Sequence, residues 1–193
     1  MVLPHHLPSS SAVLILAAAL AWAFFAGCTP RAMRYARETR SSYISARAVL
    51  AEVKEFPSAM EEVLRSRNPE DLPSRAGALI REARDLIPEA ASAFRTVKER
   101  IDLLRGEGEG AYTSYAAAMQ HLVDLNLKVL ELFGEFIGLS AAALEGFPYT
   151  DNPSNLMPTL NRMDELMAGV EELSSRIASG EEEAESLFRA LEE

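Results

Sequence analysis

Nine apolar positions in the middle of this chain step by 4-3-4-3-4-3-4-3 without a miss: Ala76, Ile80, Ala83, Ile87, Ala90, Phe94, Val97, Ile101 and Leu104. Side chains spaced this way fall along one side of an α-helix, whereas a half-buried strand needs period two. A helix this long is stable in water only when its apolar seam is buried against other helices. Pro88 lies off the seam but inside the helix, where it removes a hydrogen bond and bends the axis. Gly106-Glu107-Gly108-Glu109-Gly110 stops the helix, and so short a turn makes the following helix an antiparallel neighbour.

The flanking segments repeat the pattern. Upstream, Ala36, Tyr43, Ala46, Leu50, Val53, Met60 and Leu64 trace a first helix, with Pro57 predicting a kink or break near Phe56. Asn68-Pro69-Glu70-Asp71-Leu72-Pro73 reads as the connection, with Ser74 as the cap of the second helix. Downstream, Tyr112, Tyr115, Met119, Leu122, Val129, Phe133 and Phe136 form a third stripe, widened by Val123, Leu127, Leu130, Ile137 and Leu144. A face this broad suits a helix that touches more than one partner. Gly146 and Pro148 mark its stop, and Phe147–Met157 is the longest connection.

Pro158 suits the first turn of a fourth helix, whose seam is Leu160, Met163, Met167, Val170, Ile177, Ala184, Phe188 and Leu191. Ser174 and Glu181 interrupt that seam. Ser179 and Glu182 have capping-box spacing around Gly180, so a bent helix and two separate helices are both open. No strand periodicity survives anywhere. The expectation is an all-α chain: an up-down-up-down antiparallel four-helix bundle of long, partly kinked helices over residues 31–193. Helices of this length make a bundle about 50 Å long.

In that topology the start of the first helix and the end of the fourth are neighbours. The first carries Arg31, Arg34, Arg37, Arg40 and Arg47; the second carries Glu181, Glu182, Glu183, Glu185, Glu192 and Glu193. Two readings compete for the arginines. Contact with anionic lipid headgroups is worth about 1 kcal/mol per residue near the surface. Pairing with the C-terminal glutamates is worth about 0–1 kcal/mol per exposed pair. Pairing is favoured, because those glutamates would repel the same headgroups. The net charge of −10 also argues against nucleic acid, whose affinity rests on Lys and Arg at phosphates.

The first 28 residues contain no Lys, Arg, Asp or Glu, so that charge belongs wholly to the rest. Ala12–Phe25 is apolar and too short for the usual spanning helix of about 20 residues, but long enough for the core of a signal peptide. The small pair Ala26-Gly27 and then Cys28, the only cysteine, close the stretch. This arrangement resembles the lipobox of bacterial lipoproteins: an aliphatic residue, two small residues and a cysteine, with Phe25 here in the aliphatic place. The resemblance implies a signal peptide, residues 1–27, cleaved between Gly27 and Cys28. It implies lipid on Cys28, a short tether over 28–30, and a body held by membrane outside the cytoplasm. Two or three acyl chains anchor stably where one does so only marginally. Thr29 after the cysteine favours the outer membrane by analogy with enteric sorting. A competing reading is an uncleaved signal-anchor. The segment before the apolar run lacks Lys and Arg, and the arginines after it would favour a cytoplasmic flank.

Little in the remainder points to chemistry. With one histidine beyond Cys28, His121, the Glu-x-x-His pairs of a di-iron bundle are impossible, and no metal or cofactor is expected. His121 and Asp124 share a helix face, as a base and its orienting carboxylate would, but a surface pair is the commoner use of that spacing. Asn126 breaks the third stripe; it either sets helix register or lines a pocket with Tyr115 and His121. Met60, Met119, Met163 and Met167 fall at seam positions, where methionine ordinarily fills core. The expectation is a non-enzymatic envelope protein with an interaction or structural role and an envelope protein partner. The alternative is a module that holds a small or lipid-like ligand between its helices.

Overall fold

A computed structural model describes residues 31–65, 71–146 and 156–193 of the chain. Four helices account for nearly all of them: α1 (Arg31–Arg65), α2 (Leu72–Glu107), α3 (Ala111–Gly146) and α4 (Met157–Glu192). They run up-down-up-down as an antiparallel four-helix bundle, and the described residues contain no strand. Gly27, Cys28 and the segments 1–27 and 28–30 lie outside the described residues.

Helix ends follow from turn chemistry. Asp71 stands at the N-cap of α2, its carbonyl accepting from the Arg75 amide at 3.0 Å, and Pro73 occupies the first turn, where no intrahelical donor is needed. Leu156 and Pro158 repeat that arrangement at α4, with the Leu160 amide donating to Leu156 at 3.0 Å. Ser74 is therefore inside α2 and does not cap it. Between α2 and α3, the Gly108 amide closes the last turn onto Leu104 at 3.0 Å, and Gly110 reverses the chain at φ +61°. A Cβ on Gly108 would lie 2.6 Å from the Tyr112 Cβ, so the turn can close this tightly only on glycine.

At two places where a break was one of the alternatives, the helix continues. α1 runs unbroken through Pro57, with Val53, Phe56 and Val63 all buried on the same face. The packing of that face outweighs the one hydrogen bond that proline removes. The seam also ends on Val63 rather than Leu64, which is 56% exposed. α4 likewise passes through Ser179 and Gly180 as one helix. Gly180 is there for contact: a Cβ at that position would sit 2.9 Å from Leu122 Cδ2 of α3. Gly169, about three turns earlier, faces Leu132 the same way at 3.2 Å. Together they let α3 and α4 approach closely.

The core divides along the bundle. The larger cluster joins the first half of α1, the second half of α2, the first half of α3 and the second half of α4, with Leu50, Phe94, Val97, Ile101, Leu104 and Phe133 at its centre. Each such fully buried side chain contributes about 1.5–3 kcal/mol. A smaller cluster at the opposite end centres on Phe56, Ile80, Ile137 and Leu166, with Phe56 edge-on to Phe136 at 6.1 Å between centroids. The broad face of α3 meets three helices: it packs along α2 and α4 and touches α1 across the short diagonal. α1 and α4 are the exception to close backbone packing. Their backbones stand farther apart, and long polar side chains span the gap.

Candidate functional site

That α1–α4 seam holds most of the polar chemistry of the bundle core. Going up α1 and down α4, Arg37 pairs with Glu192 at 3.3 Å, Arg40 with Glu185 at 2.9 Å, and Arg47 with Glu181 at 2.9 Å. Lys54 Nζ donates to Ser174 Oγ at 3.1 Å. Ser174 and Glu181, the two breaks in the apolar seam of α4, are thus the groups that receive Lys54 and Arg47 of α1. Arg40 binds both oxygens of Glu185 while its guanidinium covers the Phe188 ring at 4.8 Å from the centroid. A bidentate pair with a stacked guanidinium is the best-ordered kind of surface ion pair.

Asn126 of α3 carries this seam into the core. It is fully buried; its Nδ2 donates to the Tyr43 hydroxyl at 3.1 Å and to the Leu122 carbonyl at 2.8 Å. Tyr43 in turn donates to Glu181 Oε1 at 2.7 Å, and Arg47 reaches Asn126 Oδ1 at 3.4 Å. Burial, reinforced by the Glu181 carboxylate, raises the Tyr43 pKa well above the usual phenol range. The hydroxyl therefore stays protonated and acts as a fixed donor. Burial, helped by Arg47, pulls Lys54 below the usual ammonium value. Such a network ties three helices at one height, so a slide of α4 by one turn would break the bonds of Tyr43 and Arg47 to Glu181.

Next to the network is a cavity of about 180 Å³ between α1, α3 and α4. Ile44, Met119, Leu122, Ala184 and Phe188 make its apolar walls, and Arg40, Glu181 and Glu185 its charged rim. Tyr115 also lines it, with its ring tilted 55° against Phe188 at 5.5 Å. The Tyr115 hydroxyl is buried and has no hydrogen-bond partner among the described residues, and burial raises its pKa above the usual phenol value.

The structure does not bring Tyr115, His121 and Asn126 into one pocket. Tyr115 and Asn126 are both buried but lie about 16 Å apart along α3. Asn126 serves the register of the helices through Tyr43 and Arg47. His121 is exposed on the outer side of α3. Asp124, beside it, bonds Lys98 at 2.8 Å and Gln120 at 3.1 Å. Burial raises the Asp124 pKa, but Lys98 and Gln120 outweigh it and hold the carboxyl below its ordinary value. That carboxylate is engaged by α2, so it bridges helices where a base–carboxylate pair would need it to orient His121.

Tyr43 and Lys54 were not foreseen as members of this site; the breaks at Ser174 and Glu181 were the sequence signal that could have found them. The basic start of α1 does meet the acidic end of α4, as expected, at Arg37, Arg40 and Arg47. Arg31 turns instead to Glu107 at 3.8 Å, and Arg34 to Glu38 at 3.7 Å and the Tyr35 ring. Among the described residues, no group of three or more His, Cys, Asp or Glu side chains could hold a metal ion, and no helix is long and apolar enough to cross a membrane. No protein-family model, curated protein or solved structure matches this chain.

Proposed function

We propose that this protein is a bacterial lipoprotein, anchored by acyl chains on Cys28, whose four-helix bundle has an interaction or structural role at the cell envelope outside the cytoplasm. The observation that carries the reading is the apolar run Ala12–Phe25 closed by Ala26-Gly27-Cys28, three residues before α1 begins at Arg31. So short a tether would hold the bundle close against the membrane, with the α1 start and the α4 end nearest to it. The arginines there already bind carboxylates, so a headgroup contact from Arg31, Arg34, Arg37 or Arg40 would have to compete with Glu107, Glu38, Glu192 or Glu185. Arg31, with 75% of its side chain exposed, is the best placed to do so.

The test is incorporation of radiolabelled palmitate in the native host. Label is expected in the wild-type protein and absent from Cys28→Ala, with the wild type fractionating with the envelope; equal labelling of both would overturn the assignment. A second reading, a module that binds a small or lipid-like ligand between its helices, is supported by the cavity beside Tyr115. Native mass spectrometry of the protein extracted from its membrane would show a retained small molecule if that reading is right.

A further inference from the structure

We infer that the groove between α1 and α2 bounded by Glu52, Glu55 and Glu82 is a docking site for a basic segment of a partner protein, which seats a lysine or arginine side chain there. The inference deepens the interaction role proposed above and rests on it, but it does not depend on acylation at Cys28. Its basis is negative charge left without a counterpart beside an apolar floor.

The groove has a volume of about 190 Å³. Phe56 and Ala59 of α1 and Leu79 and Leu86 of α2 line its floor, and the three glutamates, all exposed, form its rim. Nearer the start of α1, the same helix pair closes with opposite charges: Arg100 donates to Glu38 at 3.0 Å. Two heptads farther along, Glu52 takes the place of Glu38 and Leu86 that of Arg100, so the carboxylate recurs and its cation does not. The helices themselves offer no substitute. No position three or four residues from Glu52, Glu55 or Glu82 holds Lys or Arg, and Glu52 and Glu55 repel each other at i,i+3 spacing. None of the three carboxylates has a hydrogen-bond or ion-pair partner among the described residues.

A long basic side chain answers both parts of the groove. Its methylene stem covers the apolar floor, and the cation at its end stands among the carboxylates. Other occupants fit less well. No group of acids among the described residues could hold a metal ion, which leaves an organic cation. A second copy of this chain brings a net charge of −10 against an acidic rim. Lipid headgroups at the start of α1 are out of reach, because Glu52 lies about 30 Å along the helix from Arg31.

The test uses the full-length protein in phosphatidylcholine nanodiscs and a synthetic alanine-based helix bearing lysines along one face and a diazirine beside them. Mass spectrometry after illumination is expected to place the cross-links on residues 52–59 and 79–86. Half-saturation should need about tenfold more peptide in the triple variant Glu52→Gln, Glu55→Gln, Glu82→Gln. It should be unchanged in Glu171→Gln, Glu182→Gln, Glu183→Gln, which removes the same charge from α4. Ala59→Phe, which fills the groove and keeps every charge, should weaken labelling as the first triple does; thermal melting checks that each variant is folded. Cross-links scattered over the surface, equal losses in the two triples, or labelling indifferent to Ala59→Phe would overturn the site. So would a dimer of the protein alone, cross-linked through these same residues, because a second copy would then be the occupant. The palmitate experiment is unaffected by any of these results, so each assignment fails separately.

Discussion

Tyr43 and Tyr115 are two buried phenols in one core, and removing one oxygen from each should move stability in opposite directions. Tyr115 is 1% exposed and its hydroxyl has no partner among the described residues, so the folded state carries the desolvation cost of an unpaired polar group. That cost is about 1–3 kcal/mol, and Tyr115→Phe keeps the ring against Phe188, so the variant should gain about 1 kcal/mol or more. Tyr43 is 6% exposed, but its hydroxyl donates to Glu181 and accepts from Asn126. Tyr43→Phe leaves a buried amide and a carboxylate each one bond short, at a cost of about 1–3 kcal/mol. For a domain of this size each kcal/mol corresponds to about 2–4 °C in Tm. Differential scanning calorimetry on the ligand-free proteins, backed by urea titration, should show Tyr115→Phe melting above the wild type and Tyr43→Phe below it. If Tyr115→Phe melts as far below the wild type as Tyr43→Phe does, the Tyr115 hydroxyl is satisfied in solution and the reasoning about its cavity fails.

Glycines on the same bundle should divide in the same manner: Gly180→Ala pushes a methyl to 2.9 Å from Leu122 and should cost about 1–3 kcal/mol, while Gly134→Ala meets nothing within 4 Å and should gain up to about 1 kcal/mol, both read from urea midpoints. Asn126→Leu should lower the unfolding midpoint, because Tyr43 loses a donor and the Arg47 guanidinium an acceptor; a midpoint above the wild type would mean that the polar network costs more than it contributes. The Asp124–Lys98 pair gives a pH dependence whose sign follows from the carboxyl's lowered pKa. A depressed folded-state pKa means stability that is present above the unfolded carboxylate value and lost as pH falls through the folded one. Lys98→Met should therefore cost up to about 1 kcal/mol at pH 7 and progressively less as Asp124 protonates, measured by urea unfolding across pH 2–7. A loss that does not shrink towards pH 2 would show that Lys98 acts through packing and not through charge.

The legibility of the chain varied by helix. In α2 every seam position is buried or half-buried, since that stripe alternates without a polar interruption and Pro88, the proline of its interior, is exposed. At Pro57 and Gly180 local propensity left a break and a continuing helix both open, and packing on neighbouring helices decided for continuity: Phe56 packs on Phe136, and Leu122 occupies the space that Gly180 leaves. The pocket residues were the least legible. Tyr115 reads as one more apolar residue of the α3 stripe, and nothing in its neighbours along the chain marks its hydroxyl as unpaired.

What the sequence determined by itself is periodic or contiguous: the all-helical class and the order of the helices, the apolar stripe of each helix, the turn at Gly108–Gly110, and an apolar stretch that ends on a lone cysteine. Each is a property of residues within a few turns of one another, where backbone geometry sets which side chains share a face. Tertiary structure alone decided which polar breaks face one another. Glu181 finds Tyr43 and Arg47, Ser174 finds Lys54, and Asn126 joins them from a third helix, over separations of 79 to 138 residues. Register between helices depends on how whole faces interlock, and a cavity is what the interlocking leaves unfilled. Neither is encoded in any single stretch of chain.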